Sequence, residues 1–226
     1  MNRMVKRGDA YNACDAEVIV KKSIYSNYGK RGFDIALSLL VAPIALPLII
    51  ISAALVRLDG GPAFFKQPRI GKDARVFYCL KLRTMHVDAE NLLLEMRRAD
   101  PDVDHEWTVY QKLKHDPRIT RLGKFLRVSC LDELPQFINV LVGDMSYFGP
   151  RPFLPDQLDL YRDAGGVAYF KIRPGLSGPW QVSQREESTF VERIGFDTDY
   201  YLDLSLWTDL KLMIKTIGVV FLLRGR

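Results

Sequence analysis

The longest apolar run in the chain, Ile35 to Val56, covers 22 residues (56 − 35 + 1) without a charge. At about 1.5 Å per residue, a helix of that length could cross a hydrocarbon core about 30 Å thick. Pro43 and Pro47 stand in its middle, where proline removes a helical hydrogen bond and bends the axis. Lys30 and Arg31 precede the run, and Arg57, Lys66, Arg69 and Lys72 follow it. A crossing with both ends basic runs against the positive-inside rule. The pattern therefore predicts a re-entrant helix over 29–58 that kinks and returns to the face it entered. A buried helix of a soluble core and an ordinary transmembrane helix remain open alternatives.

Residues 1–28 show no clear period and read as a flexible lead-in. They are polar, and no small-residue cleavage site follows the apolar run, so a secretory signal is not expected. Asp59-Gly60-Gly61-Pro62 is a turn. Ala63–Lys66 and Arg75–Lys81, rich in Phe, Tyr and Val and joined through Ile70-Gly71-Lys72-Asp73, predict a small hairpin. Val87–Arg98 has helical spacing, with Leu92, Leu93 and Met96 on one face. Residues 99–116 read as a loop with a short helix. Ile119–Val128 is helical, with Arg121, Lys124 and Arg127 on one side. Residues 156–170 predict an amphipathic helix, and Phe190–Leu204 another. Ser205–Leu223 is the last, with Leu206, Leu210, Met213, Ile217 and Val220 as its apolar stripe and Asp209, Lys211 and Lys215 off it. Core packing and a membrane surface both suit that stripe. The expected class is α+β, mostly helical with a small β-hairpin.

The chain is 48% hydrophobic and 26% charged over 226 residues, which suits one domain with an ordinary core. A formal charge of +5 favours polyanionic partners such as nucleotides or phospholipid headgroups. No RNP-like or zinc-finger pattern accompanies it, so nucleic acid is not an expected partner. Cys14, Cys79 and Cys130 have neither disulfide nor zinc-site spacing.

Candidate chemistry centres on Leu131-Asp132-Glu133-Leu134-Pro135-Gln136. Proline ahead of the apolar run 137–142 predicts a helix starting near the acidic pair, whose unpaired N–H groups would favour the charged carboxylates. An ionised carboxylate can serve as nucleophile or Mg²⁺ ligand. A plain capping role, with Ser129 and Asp132 as a capping box, competes with that reading. Pro150-Arg151-Pro152 and Arg173-Pro174-Gly175 present arginines from stiff backbone, suited to phosphate or to pinning a loop through its carbonyls. A glycosidase is disfavoured, because adjacent carboxylates cannot face each other across a sugar.

Lys30-Arg31-Gly32-Phe33-Asp34, Lys81-Leu82-Arg83-Thr84-Met85, the Asp132-Glu133 motif, Gly143-Asp144-Met145-Ser146, Gly149-Pro150-Arg151-Pro152, Arg173-Pro174-Gly175 and Trp180-Gln181-Val182 stand in one order. In that order the chain resembles bacterial sugar transferases, the monotopic polyprenyl-phosphate phosphoglycosyl transferases that begin exopolysaccharide repeat units. The resemblance runs from Lys30 to Gly218. It implies transfer of a phosphosugar, galactose first and glucose next, from a UDP-sugar to undecaprenyl phosphate with release of UMP. It implies Asp132 as nucleophile, Glu133 beside it on Mg²⁺ with Asp132, and Arg127, Arg151 and Arg173 on phosphate. Lys81 and Arg83 would lie near the lipid phosphate. It also implies a re-entrant helix, interfacial amphipathic helices and a catalytic domain over 59–226. The location would be the cytoplasmic face of the bacterial inner membrane, among membrane lipids, with homo-oligomers allowed. Two departures stand out: Leu46-Pro47 replaces the family's usual Ser-Pro break, and Gln184-Arg185 replaces Gly-Arg. A Mg²⁺-dependent phosphohydrolase and a non-catalytic lipid-binding anchor are the competing functions.

Overall fold

The computed structural model describes residues 24–110, 113–183 and 189–221. The lead-in therefore lies outside the described residues up to 23, as does Gln184-Arg185; from Ile24 onward the chain is helical. A π-helical turn, Tyr25–Gly29, runs directly into α1 (Lys30–Arg57). β1 (Phe64–Ile70) and β2 (Val76–Leu82) form the expected hairpin. Then come α2 (Ala89–Ala99), α3 (Pro101–Tyr110), α4 (Arg121–Val128), α5 (Gln136–Val142) and β3 (Ser146–Phe148). The chain closes with α6 (Leu158–Asp163), β4 (Gly175–Ser177), α7 (Pro179–Val182), α8 (Arg193–Leu202) and α9 (Leu206–Phe221). Among the described residues the architecture is thus mostly helical, with two small two-stranded sheets.

α1 continues through Pro43 and Pro47. Asp34, Ser38, Ala45, Ile49, Ser52 and Val56 form one buried seam at helical steps, while Leu39, Leu40, Ile44, Ile50 and Ile51 are exposed. Only 22% of its most apolar stretch is buried. Among the described residues α1 is therefore not the buried helix of this chain's own core, which would cover the apolar side chains from water. α1 is long and apolar enough to cross a membrane.

Contacts divide the chain into two compact units. One comprises residues 24–38, 68–78 and 139–216; the other comprises 39–67, 79–138 and the end of α9. In the first, β3 and β4 pair in parallel, Ser146 opposite Gly175 and Phe148 opposite Ser177. This pairing joins two loops that carry no strand pattern of their own. One of its clusters packs Ile70, Phe153, Tyr161, Tyr169 and Ile194. Arg193 is buried among the rings of Phe153, Tyr161, Tyr169, Trp180 and Phe190, and it pairs with Asp197 at 3.2 Å. In the second unit, Phe137 packs on Ala45 and Ile49, and Leu82 and Leu126 pack on Val56.

Three expectations are corrected. The helix over 156–170 is broken into a 3-10 turn, the short α6 and a second 3-10 turn at Ala168–Lys171, because Gly165 takes φ +83 and ends α6. The buried face of α9 is rotated from the expected stripe. Asp209 and Leu212 are buried while Leu206 and Ile217 are half exposed, since Asp209 meets Lys30 at 2.8 Å and so tolerates burial. Ser129 does not begin a helix. It closes α4 by donating to the Phe125 and Leu126 carbonyls, so there is no capping box at Asp132.

Candidate active site

The acidic pair lies in the second unit, in a 3-10 turn at Leu131–Glu133 that precedes α5 rather than opening it. The chain reverses between α4 and this turn through Cys130, which takes the left-handed conformation at φ 57. A three-residue turn has little macrodipole, so the electrostatic support expected from a helix start is absent. Asp132 is 9% exposed. Burial, and then the neighbouring Glu133 charge, raise its pKa to about 6, against the opposing pull of Lys81 and Arg127. Its carboxyl is thus poised just below neutral pH, so the fold does not favour the charged form as a helix start would.

Each basic neighbour is held by the local fold. Lys81, on β2, pairs with Glu133 at 2.7 Å rather than with Asp132. Arg127 projects from the last turn of α4, and its Nε donates to Thr84 Oγ1 at 2.9 Å. α4 can lie there because residue 123 is glycine: a Cβ on Gly123 would fall 1.9 Å from the Thr84 carbonyl oxygen. Thr120 caps α4 by accepting from Gly123 N at 2.8 Å, and its own N–H donates to Thr84 O. Thr84 and Gly123 are therefore supporting residues that spacing alone does not expose; Thr84 belongs to the Lys81–Met85 motif, and Gly123 carried no signal.

Arg83 is fully engaged. Its Nε donates to Pro62 O at 2.6 Å, Nη1 to Asp59 Oδ2 and Met85 O, and Nη2 to Val56 O and Asp59 Oδ1. All five N–H groups are spent on protein, so the phosphate role implied for Arg83 is not carried forward. The same bonds hold Asp59 down at about 2. Asp59 was legible only as part of a turn.

Arg151 and Arg173 belong to the first unit. Four successive carbonyls fix the backbone around Arg151. Pro150 O accepts from Gly175 N, Arg151 O from Arg193 Nη2, Pro152 O from Arg69 Nη1, and Phe153 O from Ile70 N. Arg173 Nε donates to Gly143 O at 2.7 Å, which is the loop-pinning use of a proline-framed arginine.

Asp132 and Glu133 also suit Mg²⁺, a hard cation that prefers carboxylate oxygens. Asp132 is a buried carboxylate outside every ion pair among the described residues, and a cation beside it would relieve the cost of its ionisation. No group of three or more His, Cys, Asp or Glu converges among the described residues, so substrate phosphate and water would have to supply the other ligands.

The profile of the family described as bacterial sugar transferase matches residues 25–223. The chain belongs to the bacterial sugar transferase family. It is 44% identical over 196 residues to the UDP-galactose-lipid carrier transferase of Erwinia amylovora, covering 86% of this chain and 41% of that protein. It is 43% identical over 197 residues to the exopolysaccharide production protein ExoY of Rhizobium meliloti, covering 87% of each. It is 43% identical over 195 residues to the undecaprenyl-phosphate galactose phosphotransferase of Salmonella typhimurium, covering 86% of this chain and 41% of that protein. As a bacterial sugar transferase, the chain thus spans about two fifths of the length of the first and third relatives and nearly all of ExoY.

Proposed function

We propose that this sugar transferase moves a hexose 1-phosphate, galactose first and glucose next, from its UDP-sugar to undecaprenyl phosphate. UMP leaves, and the product is the lipid diphosphate sugar that starts an exopolysaccharide repeat. The observation that carries the reading is Asp132, a buried carboxylate poised at about 6 beside Glu133, Lys81 and Arg127, in a chain matched to the family over 25–223. In the first step an Asp132 carboxylate oxygen attacks the β-phosphorus. A phosphorus–oxygen bond forms, the β-phosphorus bond to the bridging oxygen breaks, and that oxygen departs with UMP. In the second step a phosphate oxygen of the lipid attacks the same phosphorus and the acyl phosphate bond breaks, restoring Asp132. Arg127 and Lys81 offset the negative charge gathered at phosphate, the term on which phosphoryl transfer chiefly depends. Glu133 and Asp132 would hold Mg²⁺, which supplies charge neutralisation at the phosphates when bound.

The exposed apolar faces of α1 support a membrane-held enzyme, because the lipid phosphate sits at headgroup depth and its catalyst must be kept there. The proposed placement is monotopic, on the cytoplasmic face, with α1 re-entrant. The deciding experiment is an intact mass of detergent-purified protein incubated with UDP-galactose and Mg²⁺ without lipid. A gain of one hexose phosphate, absent in Asp132→Asn, is expected. Release of UMP only after polyprenyl phosphate is added, with no adduct, would replace the two-step route by direct transfer. Release of sugar phosphate without lipid would indicate a phosphohydrolase.

A further inference from the structure

The first unit contains a cavity of about 50 Å³ lined by Lys30, Arg31, Asp34, Lys72, Lys171 and Arg173, with Ser146, Ile172 and Leu204 completing much of its wall. Its charges do not balance. Lys30 is neutralised by Asp209 at 2.8 Å. Asp34 is buried, and its Oδ1 accepts from Ser146 Oγ at 2.9 Å and Tyr147 N at 3.1 Å. Set against this one carboxylate are four cations: Arg31, Arg173, Lys72 and Lys171.

The two arginines are held together by the end of α5. Arg31 Nη1 donates to Val140 O at 2.5 Å and its Nη2 to Leu141 O at 2.6 Å, while Arg173 Nε takes Gly143 O at 2.7 Å. Gly143 sits at φ +95, where α5 ends. Its α-carbon face meets both guanidiniums: a Cβ there would lie 3.6 Å from Arg31 Nη2 and 3.9 Å from Arg173 Nε. The negative end of a helix stabilises cations, which explains how the two are tolerated side by side. It does not use up their donors. Among the described residues both Nη groups of Arg173, and the ammonium groups of Lys72 and Lys171, meet no protein acceptor. A planar fork beside two ammonium groups is a phosphate-binding chemistry.

We infer that this cavity is a binding site for the phosphate of an anionic phospholipid headgroup. Its size admits one compact group and falls far short of the roughly 300 Å³ that small-molecule pockets usually offer, so it does not suit a nucleotide sugar. Its place along the chain selects the lipid. Arg31 and Asp34 lie in the first turns of α1, and from Ile35 that helix turns exposed apolar side chains outward. A cation cluster at the head of such a helix meets the plane where lipid phosphates lie. The occupant fixes one end of α1 at headgroup depth.

The test is native mass spectrometry of the full chain in detergent, titrated with dioleoylphosphatidylglycerol or dioleoylphosphatidylcholine. The probe variant is Lys72→Gln/Lys171→Gln, which removes two exposed ammonium groups and no hydrogen bond in the structure. Arg98→Gln/Lys114→Gln is the charge-matched control. Each lysine near an anionic lipid contributes about a factor of five, so the probe variant is expected to bind phosphatidylglycerol about 30-fold more weakly than wild type. The control should match wild type, and phosphatidylcholine should bind all three alike. Equal weakening in both variants, or in neither, overturns the site. Displacement of the lipid by inorganic phosphate or UMP at concentrations below that of the lipid assigns the cavity to a soluble phosphate and overturns the headgroup. The readout involves no sugar donor and no transfer, so it stands or falls apart from the transferase proposal.

Discussion

Asp209 of the first unit and Asp132 of the second are both buried carboxylates, and the fold provides for them in opposite ways. Asp209 is wholly buried. It receives Lys30 Nζ at 2.8 Å, the Tyr25 hydroxyl at 2.5 Å and the Tyr200 hydroxyl at 2.6 Å. Its charge is balanced and its lone pairs are occupied, so it ties the start of α1 to α9. Asp132 has no lysine or arginine at ion-pair distance among the described residues; Lys81 is committed to Glu133. Its ionisation is accordingly expensive, and its pKa rises to about 6. A buried carboxylate that is fully paired serves structure. One left partly unbalanced has free-energy to gain from an incoming phosphorus centre or metal ion.

The contrast breaks most visibly by exchanging each carboxylate for its amide. Asp132→Asn is expected to cut phosphosugar adduct formation by roughly 10³-fold or more, the scale of losing a nucleophile, with the fold retained. Intact mass over time measures this. Asp209→Asn is expected to cost about 3–5 kcal/mol by leaving Lys30 buried without its partner. A lowered unfolding temperature, followed by circular dichroism, checks it. If Asp209→Asn abolished adduct formation without loss of stability, the assignment of structural and chemical roles would be wrong.

The pH dependence sharpens the comparison. The folded value of Asp132, about 6, lies above its ordinary value of 3.8. The folded state therefore binds more protons than the unfolded state between these values. Its stability falls as pH rises through the window, and the cost is fully present above about pH 6. Asp132→Asn removes that cost. Relative to wild type it should gain on the order of 3 kcal/mol at pH 8, and the gain should vanish below about pH 4. Thermal melts of both proteins across this range measure the difference. In the proposed mechanism only the ionised carboxylate attacks, so the adduct rate in wild type should also fall as pH drops below about 6.

Arg127→Gln should slow adduct formation by about 10²-fold, the usual loss on removing one charged stabiliser, and should push the apparent pKa of the rate profile upward. The smallest expected effect belongs to Gly123→Ala. Its Cβ would meet the Thr84 carbonyl, so α4 must shift, at about 1–3 kcal/mol. The same shift would loosen the Arg127–Thr84 bond, and a parallel drop in adduct rate would tie that contact to catalysis.

Much of the helical layout was legible because it follows from local periodicity. α2, α4, α8 and α9 lie within a few residues of their expected spans, and the hairpin appears with its turn at residues 71–75. The long apolar run stood out by its length and its lack of charge. The Asp132-Glu133 pair could be singled out as an unusual juxtaposition beside a proline. The protonation balance of Asp132 could not be read the same way, because it depends on burial and on Lys81 choosing Glu133 across a sequence separation of 52 residues. The β3–β4 pairing was invisible for a similar reason: three-residue strands carry no period, and their bonds join distant loops.

Sequence by itself determined the longer helices and the hairpin, the apolar character of α1 and the juxtaposition of Asp132 with Glu133. Those features reside in neighbouring side chains and repeat with the geometry of a helix or strand. Tertiary structure alone decided which charges are spent and which remain to act. Arg83 is exhausted by Asp59 and three carbonyls, Asp209 is balanced, and Asp132 is left raised. Charge balance is a property of three-dimensional distance and solvent exclusion, and neither is set by spacing along the chain.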